Sequence, residues 1–514
     1  MSAPRLDDAF RRLQAGDAAG ALRIAGEVAA MQPANARAHL AAGIALRSLG
    51  RAEAAREAFE RASRLAPGDY APPFELGVLL ESTGRLEEAA AQYERSAALR
   101  PEFLAAHFAA GLLHARSRDW DRAAARFDAV LGLQPDHVEA LAHRGQVLAE
   151  QGRHDEALAL LGRAVALDPR RLESLVAPGR AAVARGDYAT AARYFLRAAA
   201  LQPTHADLPL YAAQVLLLLG RWREAWDPHY ARRDSRIEHE RRAAAAGRPY
   251  RVPRLEELGG RDVVVIGEQG LGDILFFLRF APRLRPSARR LAFAGDRRLH
   301  GIVSRTGVFD AISEAPEADA VPLLAGDLPL AVEAGDDVFA PSLRAAPLPE
   351  RVAALRAELA AAPRPWIAVT WRSGTPRELS REALSKSVPI PELFRALSPL
   401  PGTVLAFQRG LGAGEIESAS AALGRPVRDL SRWSDDPEDA LALVSLVDRH
   451  IGVSSTNMHL AALAGATADV LVPFPPEWRW RASGASPWFP GFRVHREAPV
   501  GGWDGALGEL ARPA

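Results

Sequence analysis

Four stretches of the chain carry residues whose types and spacing suit an anionic ligand. The first, Arg261 to Arg279, reads Arg-Asp-Val-Val-Val-Ile-Gly-Glu-Gln-Gly-Leu-Gly-Asp-Ile-Leu-Phe-Phe-Leu-Arg. Gly267, Gly270 and Gly272 let the backbone bend sharply and approach a ligand, while a helix starting near Asp273 offers free N–H groups and a positive dipole end. The same pattern also closes tight corners that bind nothing. The second stretch is Trp371-Arg372-Ser373-Gly374-Thr375-Pro376, continuing to Ser385-Lys386-Ser387-Val388-Pro389. Its hydroxyls and cations suit phosphate oxygens, and equally a hydrophilic surface loop. The third, Gln408-Arg409-Gly410, could meet a base or a ribose. The fourth, Arg449 to Gly465, passes from an apolar run through Ser454, Ser455 and Thr456 to Asn457 and His459 and then to small residues. There Ser455 or Thr456 can cap a helix whose N-terminus is a second anion-binding end. His459 falls in its first turn, where a structural hydrogen bond is the commoner role. Lys386 is the single lysine among 64 basic residues, so a compact ammonium is either required there or present by chance.

These residues need elements to hold them. Val263 to Ile266 is a β-branched run fit for a buried parallel strand, and Ile274, Leu275, Phe277 and Leu278 recur at helical spacing after it. Beyond that turn the pattern alternates. Arg290 to Ala294 reads as a strand, Asp296 to Arg305 as a helix and Phe309 to Ser313 as a strand. Asp319 to Pro322 and the 337–341 region fit short strands and loops, and Pro347 to Ala362 reads as a helix. Trp366 to Thr370 restarts the alternation, followed by strands at Val404 to Gln408 and Val470 to Val472. Two Rossmann-like lobes follow, with the turn at Gly270 and the loops after Thr370 and Val453 facing a shared cleft. The aromatics of Pro473 to Trp480 and Ser486 to Pro490 could stack on a base or sugar, although packing is their commoner role.

The N-terminal part is organised differently. Gly16, Gly50, Gly84, Arg118, Gly152, Gly186 and Gly220 step by 34 residues, as do Pro33, Pro67, Pro101, Pro135, Pro169 and Pro203. Gly43, Ala55, Phe59 and Pro67 are echoed by Gly77, Ala89, Tyr93 and Pro101, and again by Gly111, Ala123, Phe127 and Pro135. The period and the small-plus-aromatic positions resemble the tetratricopeptide repeat over Leu6 to Trp226. The first copy has Ala9 and Ala25 in place of glycine and aromatic, as suits a cap. This resemblance implies a superhelix whose concave face receives a polypeptide partner, with a spacer or dimerisation arm as the alternative.

Composition bounds the rest. A chain of 514 residues with 48% apolar and 25% charged residues has room for several globular domains. Its formal net charge of +1 provides no global field for nucleic acid. Lack of Cys excludes disulfides and Cys-based zinc sites. There is no apolar h-region at the start, and apolar stretches such as Val215 to Leu219 are too short to span a bilayer, so the expected location is cytoplasmic, without a transmembrane segment.

Taken together, Gly-Glu-Gln-Gly-Leu-Gly-Asp at 267–273, Trp-Arg-Ser-Gly-Thr-Pro at 371–376, Ser-Thr-Asn-Met-His-Leu-Ala at 455–461 and Pro-Phe-Pro-Pro-Glu-Trp-Arg-Trp at 473–480 resemble the heptosyltransferase-related GT-B glycosyltransferases, in particular members fused to tetratricopeptide repeats. The implied fold class is α + α/β. It comprises an all-α repeat superhelix (1–230), a linker (231–258), an acceptor-side GT-B lobe (259–362) and a nucleotide-sugar lobe (363–514). The resemblance implies Asp273 as catalytic base, with Gln269, Gly270 and Gly272 in the acceptor-side loop. It further implies Lys386 on the donor pyrophosphate, with Arg372, Ser373, Thr375, Gln408, Ser455, Thr456, Asn457 and His459 around the nucleotide-sugar. That family has Asp directly before the Thr at 456, and this chain has Ser455, so the donor need not be a heptose. The expected reaction is metal-independent sugar transfer with the nucleotide-sugar as co-substrate and no cofactor, to a polypeptide such as a flagellin or other surface protein. Transfer to a lipopolysaccharide or capsule glycan is one alternative, and a catalytically silent adaptor is another.

Overall fold

A computed structural model describes residues 2–203, 205, 207–231, 234–245, 247, 250–317, 319–335, 339–373 and 386–511. The chain forms two compact units, Met1–Ala182 and Val183–Ala514.

In the first unit, amphipathic helices pair across short turns. Ala36–Ser48 pairs with Ala52–Leu65, Ala71–Ser82 with Leu86–Leu99, Leu104–Arg116 with Trp120–Leu133, and Val138–Glu150 with His154–Leu167, preceded by Ser2–Gln14 with Ala18–Met31. Two devices recur. Each first helix ends on a residue in the left-handed region, with φ of +81° at Gly16, +72° at Gly50, +80° at Gly84 and +77° at Gly152. The following N–H groups then reach back to the last carbonyls, as Arg51 N–H does to Leu46 O at 2.9 Å. Arg118 takes the same conformation at φ +61° despite its Cβ. The second device is a plug between paired helices: a Cβ on Gly43, Gly77 or Gly111 would lie 2.5, 2.7 or 2.8 Å from the ring of Phe59, Tyr93 or Phe127. Leu161 replaces the ring opposite Gly145, and Ala9 and Ala25 fill the first pair, fully buried.

The second unit opens within the helix Leu172–Arg185 and takes in Tyr188–Leu201, Leu208–Leu219 and Trp222–Ala231. Repeat periodicity thus runs on to about residue 230, whereas the packing unit begins at Val183. The reason is an aromatic cluster. Trp222 lies 5.1 Å from Trp488, Trp226 lies 5.7 Å from Trp478, and the Trp226 indole N–H donates to Ala334 O at 2.9 Å. The linker at 231–258 contains the helix Asp234–Ala245. Further along it the Tyr250 hydroxyl donates to Asp327 at 2.8 Å and accepts from Leu324 N–H.

Two parallel sheets carry the rest. In the first, β1 (Asp262–Ile266), β2 (Arg290–Ala294), β3 (Ala311–Ser313) and β4 (Val321–Leu324) are ordered β3-β2-β1-β4. The second contains β5 (Trp366–Thr370), β6 (Thr403–Ala406), β7 (Arg428–Asp429), β8 (Arg449–Val453), β9 (Asp469–Val472) and β10 (Arg493–Arg496), in the order β10-β9-β8-β5-β6-β7. All registered pairs are parallel. Both sheets reverse their order next to a central strand, β1 beside β4 and β5 beside β8, and crevices open at such points.

Several element bounds differ from expectation. The helix expected over 296–305 splits into a 3-10 turn, Arg297–Leu299, and His300–Arg305, with Asp296 capping Arg298 N–H at 2.9 Å. The helix expected over 347–362 is Pro349–Glu358, the strand expected from 309 starts at Ala311, and the one expected from 319 is β4. Residues 337 and 338 of the short segment expected at 337–341 lie outside the described residues, and 339–341 are irregular. Among the described residues no helix is long and apolar enough to cross a membrane.

Candidate functional site

The opening turn leaves β1 and enters the helix Leu271–Phe277, which begins two residues before the expected start and puts Asp273 in its first turn. Ile274, Phe276 and Phe277 are buried and fix that helix. Gln269 and Gly270 lie in the turn, with Gly270 as the N-cap. On the other sheet, the helix Thr456–Ala464 follows β8 with Ser455 as N-cap. The Ser455 hydroxyl makes no capping bond and is buried without a hydrogen-bond partner among the described residues. The first turns of these two helices touch at Gly272. A Cβ there would stand 3.0 Å from His459 Cδ2 and 3.2 Å from Thr456 Oγ1, so glycine permits the approach.

Beside this contact is a cleft open to solvent. The loop after β5 supplies Arg372 and Ser373, the loop after β6 supplies Gln408, and the start of the Thr456 helix supplies Ser455, Thr456 and Asn457. Leu271 and Arg298 face them from the first sheet's side. Arg409 of the third stretch lines the cleft, and so do Arg298, Ser434 and Asp435, which the sequence does not mark. Thr375 lies outside the described residues.

Three of the expected ligand contacts bond to the protein itself. Gln408 is buried, and its amide oxygen accepts the N–H groups of Trp371 at 3.1 Å and Arg372 at 3.0 Å while its NH2 donates to Arg409 O at 3.1 Å. It therefore takes the ladder's place beyond β6, which ends at Ala406 rather than at Gln408, and braces the loops instead of offering its amide to a base. The Arg372 guanidinium pairs with Glu415 at 3.0 Å and donates to Arg409 O and Gly410 O, so it holds the 409–415 loop. Asn457 points to the Thr370 hydroxyl at 3.4 Å.

Asp273 and Lys386 are joined by two residues that sequence reasoning missed. Lys386 donates to Glu477 at 2.7 Å, Glu477 also pairs with Arg479, and Arg479 pairs with Asp273. Ser454 donates to Glu477 at 2.7 Å. Burial by itself raises the Glu477 carboxyl, but Lys386 and Arg479 outweigh it and hold the group well below the usual carboxylate range. The aromatics of the segment 473–480 pack in the core: Phe276 lies 5.3 Å from Trp478. A lone acid inside that proline-and-aromatic run was the available signal for Glu477.

His459 is neither exposed to the cleft nor hydrogen-bonded through Nδ1. Its ring lies 5.9 Å from Phe276 and 5.4 Å from Phe489. Burial, followed by the charges of Arg479 and Arg279, pushes it well below the usual imidazole range, so it is neutral at pH 7. Arg279 is itself buried, donating to Trp488 O at 2.7 Å and to the Ser342 hydroxyl at 2.9 Å, and burial lowers its guanidinium to about 9.

The chain is 26% identical over 335 residues to Protein FlbA of Caulobacter vibrioides, a match covering 58% of this chain and 53% of that protein. It thus spans about half the length of the curated relative. Among solved structures it is similar to YrrB, titled a TPR protein with an unusual peptide-binding site, at 19% identity over 37% of this chain and 96% of that one (TM-score 0.35). It is also similar to the C-terminal part of a TPR repeat-containing protein from Cytophaga hutchinsonii, at 14% identity over 45% and 98% (TM-score 0.40). Tetratricopeptide-repeat family models match residues 12–72, 74–103, 108–171 and 177–234, so the helical array at the start of the chain consists of tetratricopeptide repeats.

Proposed function

We propose that the chain is a two-lobed GT-B glycosyltransferase that moves a sugar from a nucleotide-sugar donor to an acceptor hydroxyl, the acceptor being a polypeptide recruited by the repeats. The observation that supports this reading is the ion-pair chain from Asp273 to Lys386: its side chains are not part of the cleft lining, but the helix of Asp273 contributes Leu271 to that lining and the Lys386 carbonyl accepts the N–H of Ser373, which also lines it. Asp273 takes the proton of the acceptor hydroxyl, the acceptor oxygen bonds to the anomeric carbon, and the sugar–phosphate bond breaks. Lys386, Ser373 and the N-terminus of the Thr456 helix stabilise the departing diphosphate with fixed donors. On the repeats, Phe74 and Phe108, and Ile44, Val78 and Leu112, recur in register as partly buried apolar side chains, which suits an extended peptide.

Asp273→Asn tests the base directly: transfer from a panel of nucleotide-sugars should be abolished while donor affinity by calorimetry is kept, and retained turnover refutes the assignment. A catalytically silent adaptor is the second reading, favoured by Ser455 in place of the resembled family's carboxylate and by the neutralisation of Asp273 by Arg479. Nucleotide-sugar binding without any turnover by the wild type supports that reading. Mass spectrometry of surface proteins and glycolipids from cells with and without the gene separates a polypeptide from a glycan acceptor.

A further inference from the structure

Glu477 occupies the cations that an incoming diphosphate would need. The four side chains alternate in sign, Lys386, Glu477, Arg479 and Asp273, so the chain is internally neutral. Its two ends differ in access. The Glu477 carboxylate is 13% exposed, Lys386 is 32% exposed and Asp273 is 39% exposed, so the middle is fixed while both ends reach solvent. The backbone of Lys386 adjoins the cleft, because its carbonyl accepts the N–H of Ser373 at 2.9 Å and Ser373 lines the cavity. Ser454, which holds Glu477, directly precedes Ser455, whose buried hydroxyl on the same wall has no partner among the described residues. The four side chains do not themselves line the cavity, so a diphosphate lying along Ser373 and Ser455 adjoins the backbone of residue 386, one side-chain length from its ammonium.

We propose that Glu477 is a built-in stand-in for that diphosphate, and that its displacement from Lys386 draws Arg479 off Asp273, so that the base is released only when the donor is in place. This rests on the sugar-transfer reading and adds Glu477 and Arg479 to it as positioning residues. A phosphate oxygen is a stronger partner for an ammonium than a carboxylate shared with a guanidinium and a hydroxyl. Once Lys386 turns to phosphate, buried Glu477 keeps its charge only through Ser454 and Arg479, because an ionised carboxylate out of water needs a counter-charge. Arg479 then leans to Glu477. The Asp273 arm of its fork loosens, and the partly exposed carboxylate turns towards an acceptor.

The test is calorimetric titration of the full chain with inorganic pyrophosphate and with uridine diphosphate, for the wild type, Lys386→Ala, Glu477→Gln and Glu477→Asp, with melting curves recorded alongside. Glu477→Gln removes the competitor and leaves both cations, so pyrophosphate should bind about tenfold more tightly, equivalent to about 1.4 kcal/mol. Glu477→Asp keeps the counter-charge and withdraws the carboxylate from Lys386, so it should change affinity in the same direction even if Glu477→Gln does not fold. A purely structural glutamate would weaken binding when replaced. Unchanged or weaker affinity in the folded variants, with Lys386-dependent binding by the wild type, overturns the stand-in and leaves the sugar-transfer reading intact. No binding of either probe by the wild type overturns both.

Discussion

Gly272 controls how closely the helix bearing Asp273 approaches the helix Thr456–Ala464, and replacing it is the most direct perturbation of the cleft. A Cβ at this position stands 3.0 Å from His459 Cδ2, 3.2 Å from Thr456 Oγ1 and 3.3 Å from Thr456 Cα, whereas ordinary contact begins at 3.4 Å. Alanine therefore asks the helices to part by about 0.4 Å, because Thr456 Cα is backbone and the His459 ring is wedged between Phe276 and Phe489. Overpacking of this kind costs about 1–3 kcal/mol, while removing a glycine from the unfolded chain returns about 0.4–1 kcal/mol. The net loss is roughly 1 kcal/mol, a fall of about 1–2 °C in Tm for a unit of this size. Under the proposed sugar-transfer reading, turnover should suffer more than stability. A 1 Å misplacement of reacting groups costs about 10²-fold, so a parting of about 0.4 Å should lower turnover roughly five- to tenfold, and Gly272→Val further. The measurement is kcat from initial rates of sugar transfer beside a melting curve. Gly272→Val with unchanged turnover and unchanged pyrophosphate affinity would refute the claim that this contact sets the cleft.

Other outcomes follow from the packing and the charges. Trp226→Ala should destabilise the second unit by about 3–5 kcal/mol in denaturant titration, because the indole is buried against Trp478 and Trp222 and its N–H would leave Ala334 O without a donor. In the repeats, Arg118→Gly should stabilise the first unit by up to about 1 kcal/mol by relieving the left-handed backbone, whereas Gly50→Ala should cost a similar amount. His450 is buried with neither ring nitrogen bonded among the described residues, and burial lowers its pKa to about 4. The unfolded chain therefore binds the extra proton first, and stability should fall as pH drops from about 6.5 towards 4, by about 3 kcal/mol in all. His450→Phe should flatten that part of the stability–pH curve, and an unchanged acid limb in urea melts at pH 5 and 7 would show that another group carries it.

Features written in short-range pattern were readable before any coordinates. The repeat of 34 residues, the glycine turns and the plugs such as Phe59 beneath Gly43 depend only on residues within one helix pair, whose spacing is that of the α-helix itself. Likewise β1, the turn through Gly270 and the helix containing Asp273 are contiguous, and so are β8, Ser455 and the helix that follows. Contacts across long separations were not readable. Arg479 meets Asp273 from 206 positions away, and Lys386 meets Glu477 from 91. Gln408 looked like a free amide because its partners, the N–H groups of Trp371 and Arg372, belong to the neighbouring strand's loop. Trp222 and Trp226 looked like the close of a repeat, yet they pack against Trp478 and Trp488 and place that helix in the second unit. The difference has a physical origin. Backbone periodicity fixes which residues share a face, whereas ion pairs and aromatic clusters depend on where loops from separate strands land, which sheet register and core packing set together.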